Sequence, residues 1–154
     1  TESMHVLRAE KGFLIVGQDT DGSMTPADMN MDWIVGKNKA FSFIGQRSLS
    51  RSDTLRDNRK QLVGLKTIDP TIVLPEGAQI VNDPKQPIPM AMQGHVTSSY
   101  YSANMGHSIA LAVVKGGLNR LGDTVYCPTA DGTTVPAQIV SSVFYDPKGE
   151  RQHV

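Results

Sequence analysis

Excess charge, cysteine, long apolar runs and clustered histidines are all scarce in this chain, and each shortage removes a class of function. Its 154 residues carry 15 basic and 15 acidic side chains, a formal net charge of +0, so no overall field draws it to nucleic acid or anionic lipid. The single cysteine, Cys127, cannot close an internal disulfide, and its place in the strand-like Thr124-Val125-Tyr126-Cys127 reads as a small buried hydrophobe rather than a reactive thiol. The longest apolar run, Ile109 to Val114, is far too short to cross a bilayer, and no cationic start followed by an apolar stretch suggests a signal peptide. A cytoplasmic protein is the expectation. His5, His95, His107 and His153 are scattered, without the local spacing that announces a metal site. There is no Gly-x-Ser-x-Gly elbow, phosphate loop or dinucleotide fingerprint, so no complete catalytic apparatus is visible.

What is present divides into two textures. From residue 1 to 58 the pattern is mixed: Gly12 to Gly17 (GFLIVG) reads as a short buried strand, Thr25-Pro26 as the capped start of a helix, and Phe43 to Leu49 as a helical turn or two. Such a segment predicts the edge of a domain whose bulk lies elsewhere, and a chain opening almost inside a motif reads as the C-terminal part of a larger protein. The initial Thr-Glu-Ser is read as an expression remnant. From Lys60 onward come QLVGLK, AQIV, HVTSSYYS, SIALAVV, TVYC and the run Thr134 to Tyr145, separated by turn chemistry such as Pro75-Glu76-Gly77 and Asp131-Gly132. The fold class expected is therefore mainly β: a small antiparallel, Greek-key-like barrel of about six strands with an N-terminal α+β segment. Pro136 cannot donate to a ladder, which predicts an edge or a bulge there.

Few side chains stand out as candidates for chemistry. On a strand, Arg8 and Glu10 would share a face, where an arginine fork could hold a ligand carboxylate; an intrachain salt bridge is the plainer reading. Trp33, preceded by Met29 and Met31, offers a stacking surface or simply core. Tyr100 and Tyr101 should point to opposite faces of a strand. Arg47, Arg51, Arg56, Arg59 and Lys60, partly balanced by Asp53 and Asp57, form a basic connector read as solvated linker ahead of anion-binding surface.

The motifs LRAEKGF, GQDTDGSMTP, Trp33, FIGQRSL, KQLVGL, GHVTSSYYSANMGHSIALAVV and VPAQIVSSVFYDPKG, in that order from Leu7 to Gly149, resemble the C-terminal part of the sarcosine oxidase alpha-subunit family. They resemble more distantly the aminomethyltransferase (T-protein) of the glycine cleavage system and dimethylglycine oxidase. The resemblance implies residues 1–58 as a segment of the folate-binding domain plus connector, and 59–150 as a C-terminal T-protein-like barrel. It implies folate contacts at Arg8, Glu10 and Trp33, with Val16 standing where T-protein has a tyrosine and no position matching the family's catalytic aspartate. Tetrahydrofolate is the cofactor implied for the subunit, and FAD, FMN and NAD belong elsewhere in the parent complex. The partners implied are folate and the other subunits of a hetero-oligomeric oxidase, with neither nucleic acid nor membrane. By itself this portion is expected to be silent toward sarcosine, with no catalytic residue and no metal.

Overall fold

A computed structural model describes residues 1–36 and 38–153. Among these residues, one α-helix, α1 (Glu2–Glu10), precedes six strands: β1 (Lys60–Thr67), β2 (Gln79–Ile80), β3 (Gly94–Ser102), β4 (His107–Lys115), β5 (Thr124–Pro128) and β6 (Thr134–Val140). All pairings are antiparallel, in the order β2-β3-β4-β1-β6-β5. β2, β3 and β4 follow as neighbours and β1 returns beside β4, a Greek-key arrangement. The sheet curls until its edges touch, but among the described residues only Val81 and Tyr126 bridge them, so the ladder is not a closed barrel.

Alternation along the strands separates two cores. Val63, Leu65, Val96, Ala110, Ala112, Val114, Cys127 and Ile139 fill the interior. Leu62, Ile109, Leu111 and Val113 point outward, where Ala9 and Met29 of the N-terminal segment cover them with help from Leu14, Met24 and Tyr100. Coverage on both faces is why Ile109 to Val114 is apolar without alternation. Gly64 lies on the outward face of β1. An added Cβ there would meet the Phe144 ring at 2.6 Å, so the close approach of chain and ring requires glycine.

Positions 60–140 match the sequence reading closely, with Cys127 fully buried and its thiol pushed up to about 12 by that burial. Tyr101 is exposed while Tyr100 packs against the outer core, as their alternation requires. Several expectations are corrected. Residues 12–17 form no strand: the Ile15 carbonyl accepts from the Gln18 and Asp19 N–H groups and its own N–H is taken by the Asp19 carboxylate, so a turn consumes the groups a ladder would need. Thr25 does cap a turn, its N–H and hydroxyl both donating to Asp28, but Asn30 at φ 59 ends it before a helix forms. The last run stops at Val140 rather than Tyr145. β6 is an interior strand, and Pro136 sits where its ladder with β1 ends: the Pro136 carbonyl accepts the Ile68 N–H at 3.0 Å, and a residue without an N–H cannot return the bond.

Candidate functional site

α1 exists because its residues are mostly adequate helix formers with Glu2 in the first turn and Arg8 in the last, matching the helix dipole. Gly12 at φ 70 ends it, its N–H returning to the Ala9 carbonyl, and a Cβ there would lie 2.7 Å from the Ser142 carbonyl oxygen. The strand expected for Arg8 and Glu10 is therefore a helix, on which residues two apart diverge by roughly 200°. They share neither a face nor a contact. Glu10, 2% exposed, accepts from the Ser102 hydroxyl at 2.5 Å and from the Asn104 amide at 2.9 Å.

Arg8 turns onto the sheet. Its Nη1 donates to Asp19 Oδ2 at 2.5 Å, and its Nη2 donates to Ser98 Oγ at 2.6 Å and to the Tyr100 hydroxyl at 3.2 Å. Asp19, 1% exposed, also accepts the Ile15 N–H at 2.8 Å, the Thr97 hydroxyl at 2.5 Å and the Ser98 hydroxyl at 2.6 Å. A β-bulge makes this possible: β3 shifts register between Val96 and Ser98, so Thr97 and Ser98 both bring hydroxyls to one carboxylate while Val96 stays in the interior. Sequence reasoning passed over Asp19, Thr97 and Ser98. The Gly-Gln-Asp-Thr-Asp-Gly turn was visible, but not its partners nearly eighty positions away.

Asp28 and Arg59 form a second such centre. Arg59 Nε and Nη2 grip the Asp28 carboxylate at 2.9 Å and 2.6 Å, and Nη1 reaches Asp53 at 3.0 Å. The connector is thus not merely solvated linker. Burial pushes the Asp19 and Asp28 carboxyls up, but the hydrogen bonds and paired arginines outweigh it and leave both below the ordinary 3.8. Depressed carboxyls contribute stability that is complete above 3.8 and is lost as pH falls through their folded-state values. The thermal midpoint is expected to hold steady above about pH 5 and to fall steeply below about pH 4. A midpoint unchanged down to about pH 2 would contradict this linkage.

Trp33 lies on the other side of the same loop, in a short 3-10 turn, Asp32–Ile34. It is 80% exposed, so it is not core, whereas Met29 beside it is buried. With Lys11, Phe13, Val16, Met24 and Met31 it lines an open, mostly apolar groove of about 660 Å³. Arg8 and Glu10 are not among the residues lining that groove. Val16, where T-protein carries tyrosine, is 89% exposed at its rim. Lys11 and Phe13 were not singled out from the sequence. Among the described residues no group of three or more His, Cys, Asp or Glu could hold a metal ion, and no helix is long and apolar enough to cross a membrane.

Residues 60–146, the curled sheet and the chain that leaves it, match the glycine cleavage T-protein C-terminal barrel domain. The chain belongs to that family. It is 46% identical to the sarcosine oxidase subunit alpha of Corynebacterium sp. (strain U-96), covering 99% of this chain and 16% of that protein. It is 31% identical to an aminomethyltransferase of Nostoc sp. (strain PCC 7120 / SAG 25.82 / UTEX 2576), covering 90% of this chain and 35% of that protein. The crystal structure of the glycine cleavage system aminomethyltransferase T from Bartonella henselae superposes with a TM-score of 0.74 at 22% identity, over 93% of this chain and 38% of that one. That likeness establishes the fold. The chain thus spans 16% of the length of the oxidase subunit to which it is similar, and the resemblance read from its motifs holds.

Proposed function

We propose that this barrel-family chain is the folate-side portion of a sarcosine oxidase alpha subunit, with residues 1–58 belonging to the folate-binding domain and 59–150 to the barrel. In this reading the parent enzyme oxidatively demethylates sarcosine to glycine, and tetrahydrofolate receives the one-carbon unit. The supporting observation is the 46% identity across 99% of the chain to an oxidase alpha subunit, against 31% to an aminomethyltransferase. It favours the oxidase over a flavin-free transferase or a purely bracing barrel.

The groove suits a flat heteroaromatic ligand, because Trp33 and Phe13 present exposed rings and the methionines adapt around them. Tetrahydrofolate held there would supply the nitrogen nucleophiles that take up the one-carbon unit. Trp33 provides the stacking surface and the flanking apolar side chains exclude water from one ring face. Arg8 and Glu10 act from behind: Arg8 fixes the loop through Asp19, and Glu10 fixes the chain at Ser102 and Asn104. In the parent enzyme assembled with its flavin-bearing subunits, Trp33→Ala is expected to weaken tetrahydrofolate binding about tenfold, read by calorimetry, while flavin-dependent sarcosine oxidation continues. Unchanged folate affinity would remove Trp33 from the site, and absence of sarcosine turnover in the unsubstituted assembled enzyme would remove the oxidase reading.

A further inference from the structure

A second groove, of about 620 Å³, runs between the loop at residues 22–25 and the connector at 48–60. Its character is cationic, with Arg51, Arg56, Lys60 and Lys115 on its walls and Arg59 beneath. Arg59 is held by Asp28 and Asp53, and Arg56 pairs with Asp53 at 2.7 Å. Among the described residues, no carboxylate forms an ion pair with Arg51, Lys60 or Lys115.

Lys60 and Lys115 stand directly opposite each other on β1 and β4. The Lys115 N–H bonds away from β1, to the Gln93 carbonyl, and the next pair out closes through the Gly116 N–H and Arg59 carbonyl. Lys60 and Lys115 are therefore a non-hydrogen-bonded pair, the kind whose Cα atoms approach to about 4.5 Å and whose side chains lie closest. Like charges so placed repel and destabilise the sheet. Both project from the outward face, as do Leu62 and Val113, and His95 of β3 projects there too, its pKa lowered by burial and by the Lys60 charge against the opposing pull of Asp21. Asp21 moderates the field without pairing, since its Oδ1 is turned back to the Ser23 N–H and hydroxyl at 2.7 Å and 2.6 Å.

We propose that this groove binds a small oligoanion, a ligand with two or more closely spaced phosphate or carboxylate groups, held between Lys60, Lys115 and the free fork of Arg51. The inference is independent of the folate reading, which concerns the apolar groove at Trp33. One anionic group bridging the two ammonium groups converts their repulsion into attraction, and a second group on the same ligand meets the guanidinium, which suits planar two-oxygen recognition. Arg59 cannot swing out to serve instead, because two carboxylates hold it, but its fixed charge deepens the positive potential at the groove floor. A chain with a net charge of +0 gathers this potential only by local arrangement.

The test is calorimetric titration of the full-length protein at low salt with inorganic tripolyphosphate and, separately, tricarballylate. Saturable binding is expected for at least one probe. It should weaken tenfold or more in Lys60→Gln/Lys115→Gln, return in Lys60→Arg/Lys115→Arg, and stay unchanged in Lys148→Gln, an exposed lysine outside the groove that pairs with Glu150. Binding of tripolyphosphate alone assigns phosphate chemistry, binding of tricarballylate alone assigns carboxylates, and binding of both assigns charge density; all three support the site. The double glutamine variant should melt no lower than the parent, because a repulsion has been removed. Should it fail to fold, Lys115→Gln alone, at an exposed position, carries the same test. Absence of binding by both probes, or binding undiminished in the folded glutamine variant, overturns the proposal.

Discussion

Replacing Asp19 with alanine is expected to destabilise the chain by about 3–5 kcal/mol, measured as the loss of unfolding free energy in urea. The cost comes less from lost attraction than from what is left behind. The Arg8 guanidinium, with its side chain 12% exposed, would stay enclosed without its counter-charge. The Ile15 N–H and the Thr97 and Ser98 hydroxyls would lose the same acceptor at once. Asp19→Asn should cost less, since the amide oxygen still accepts two of these donors while the charge is gone. The loop pinned by Asp19 also carries Val16 and Met24, which line the Trp33 groove, so under the proposed folate role of that groove, folate affinity in the full-length protein should fall with stability. A loss under about 1 kcal/mol would mean that Arg8 escapes to water, and its role as a brace for the loop would be lost.

Leu111→Ala is expected to cost about 2–5 kcal/mol, against less than about 0.5 kcal/mol for Leu118→Ala. Leu111 is fully buried and Leu118 is 40% exposed. The comparison asks more than whether core leucines matter, because Leu111 points to the outer face of β4, not into the curled sheet. Ala9 and Met29 of the N-terminal segment pack in the cluster that buries it, together with Leu14, Met24, Met31, Tyr100 and Phe144. In a sheet standing alone that face would meet water and the truncation would be nearly neutral. A large cost therefore reports that residues 9–31 are an integral layer of the fold, and equilibrium denaturation of both variants decides it.

The strands were legible because two local signals agreed at each of them. Alternation or a bounded apolar run marked the strand, and a residue suited to positive φ marked its end, as at Gly132, φ 83, between β5 and β6. Cys127 was legible for the same reason. The GFLIVG stretch misled because apolar content resembles a buried strand whether or not a neighbouring strand exists to pair with it, and here Asp19 satisfies the backbone instead. Trp33 had two sequence readings, stacking surface or core, and nothing adjacent to it in sequence distinguishes them. What exposes it is the three-residue turn that carries it and the absence, among the described residues, of a layer over it.

The sequence by itself determined the sheet, its turns, the burial of its one thiol and, through motif order, the family. These follow from interactions between residues near in sequence, or from side-chain period, which a single chain displays directly. Tertiary structure alone decided what the charged residues do. Arg8 meets Ser98 and Asp19, Arg59 meets Asp28, Glu10 meets Ser102, and Lys60 faces Lys115 across the ladder. Each of these pairings spans between eleven and ninety-two positions, and its sign and strength depend on distance and on exclusion of water, quantities that exist only once the sheet has curled and the N-terminal segment has closed over its outer face.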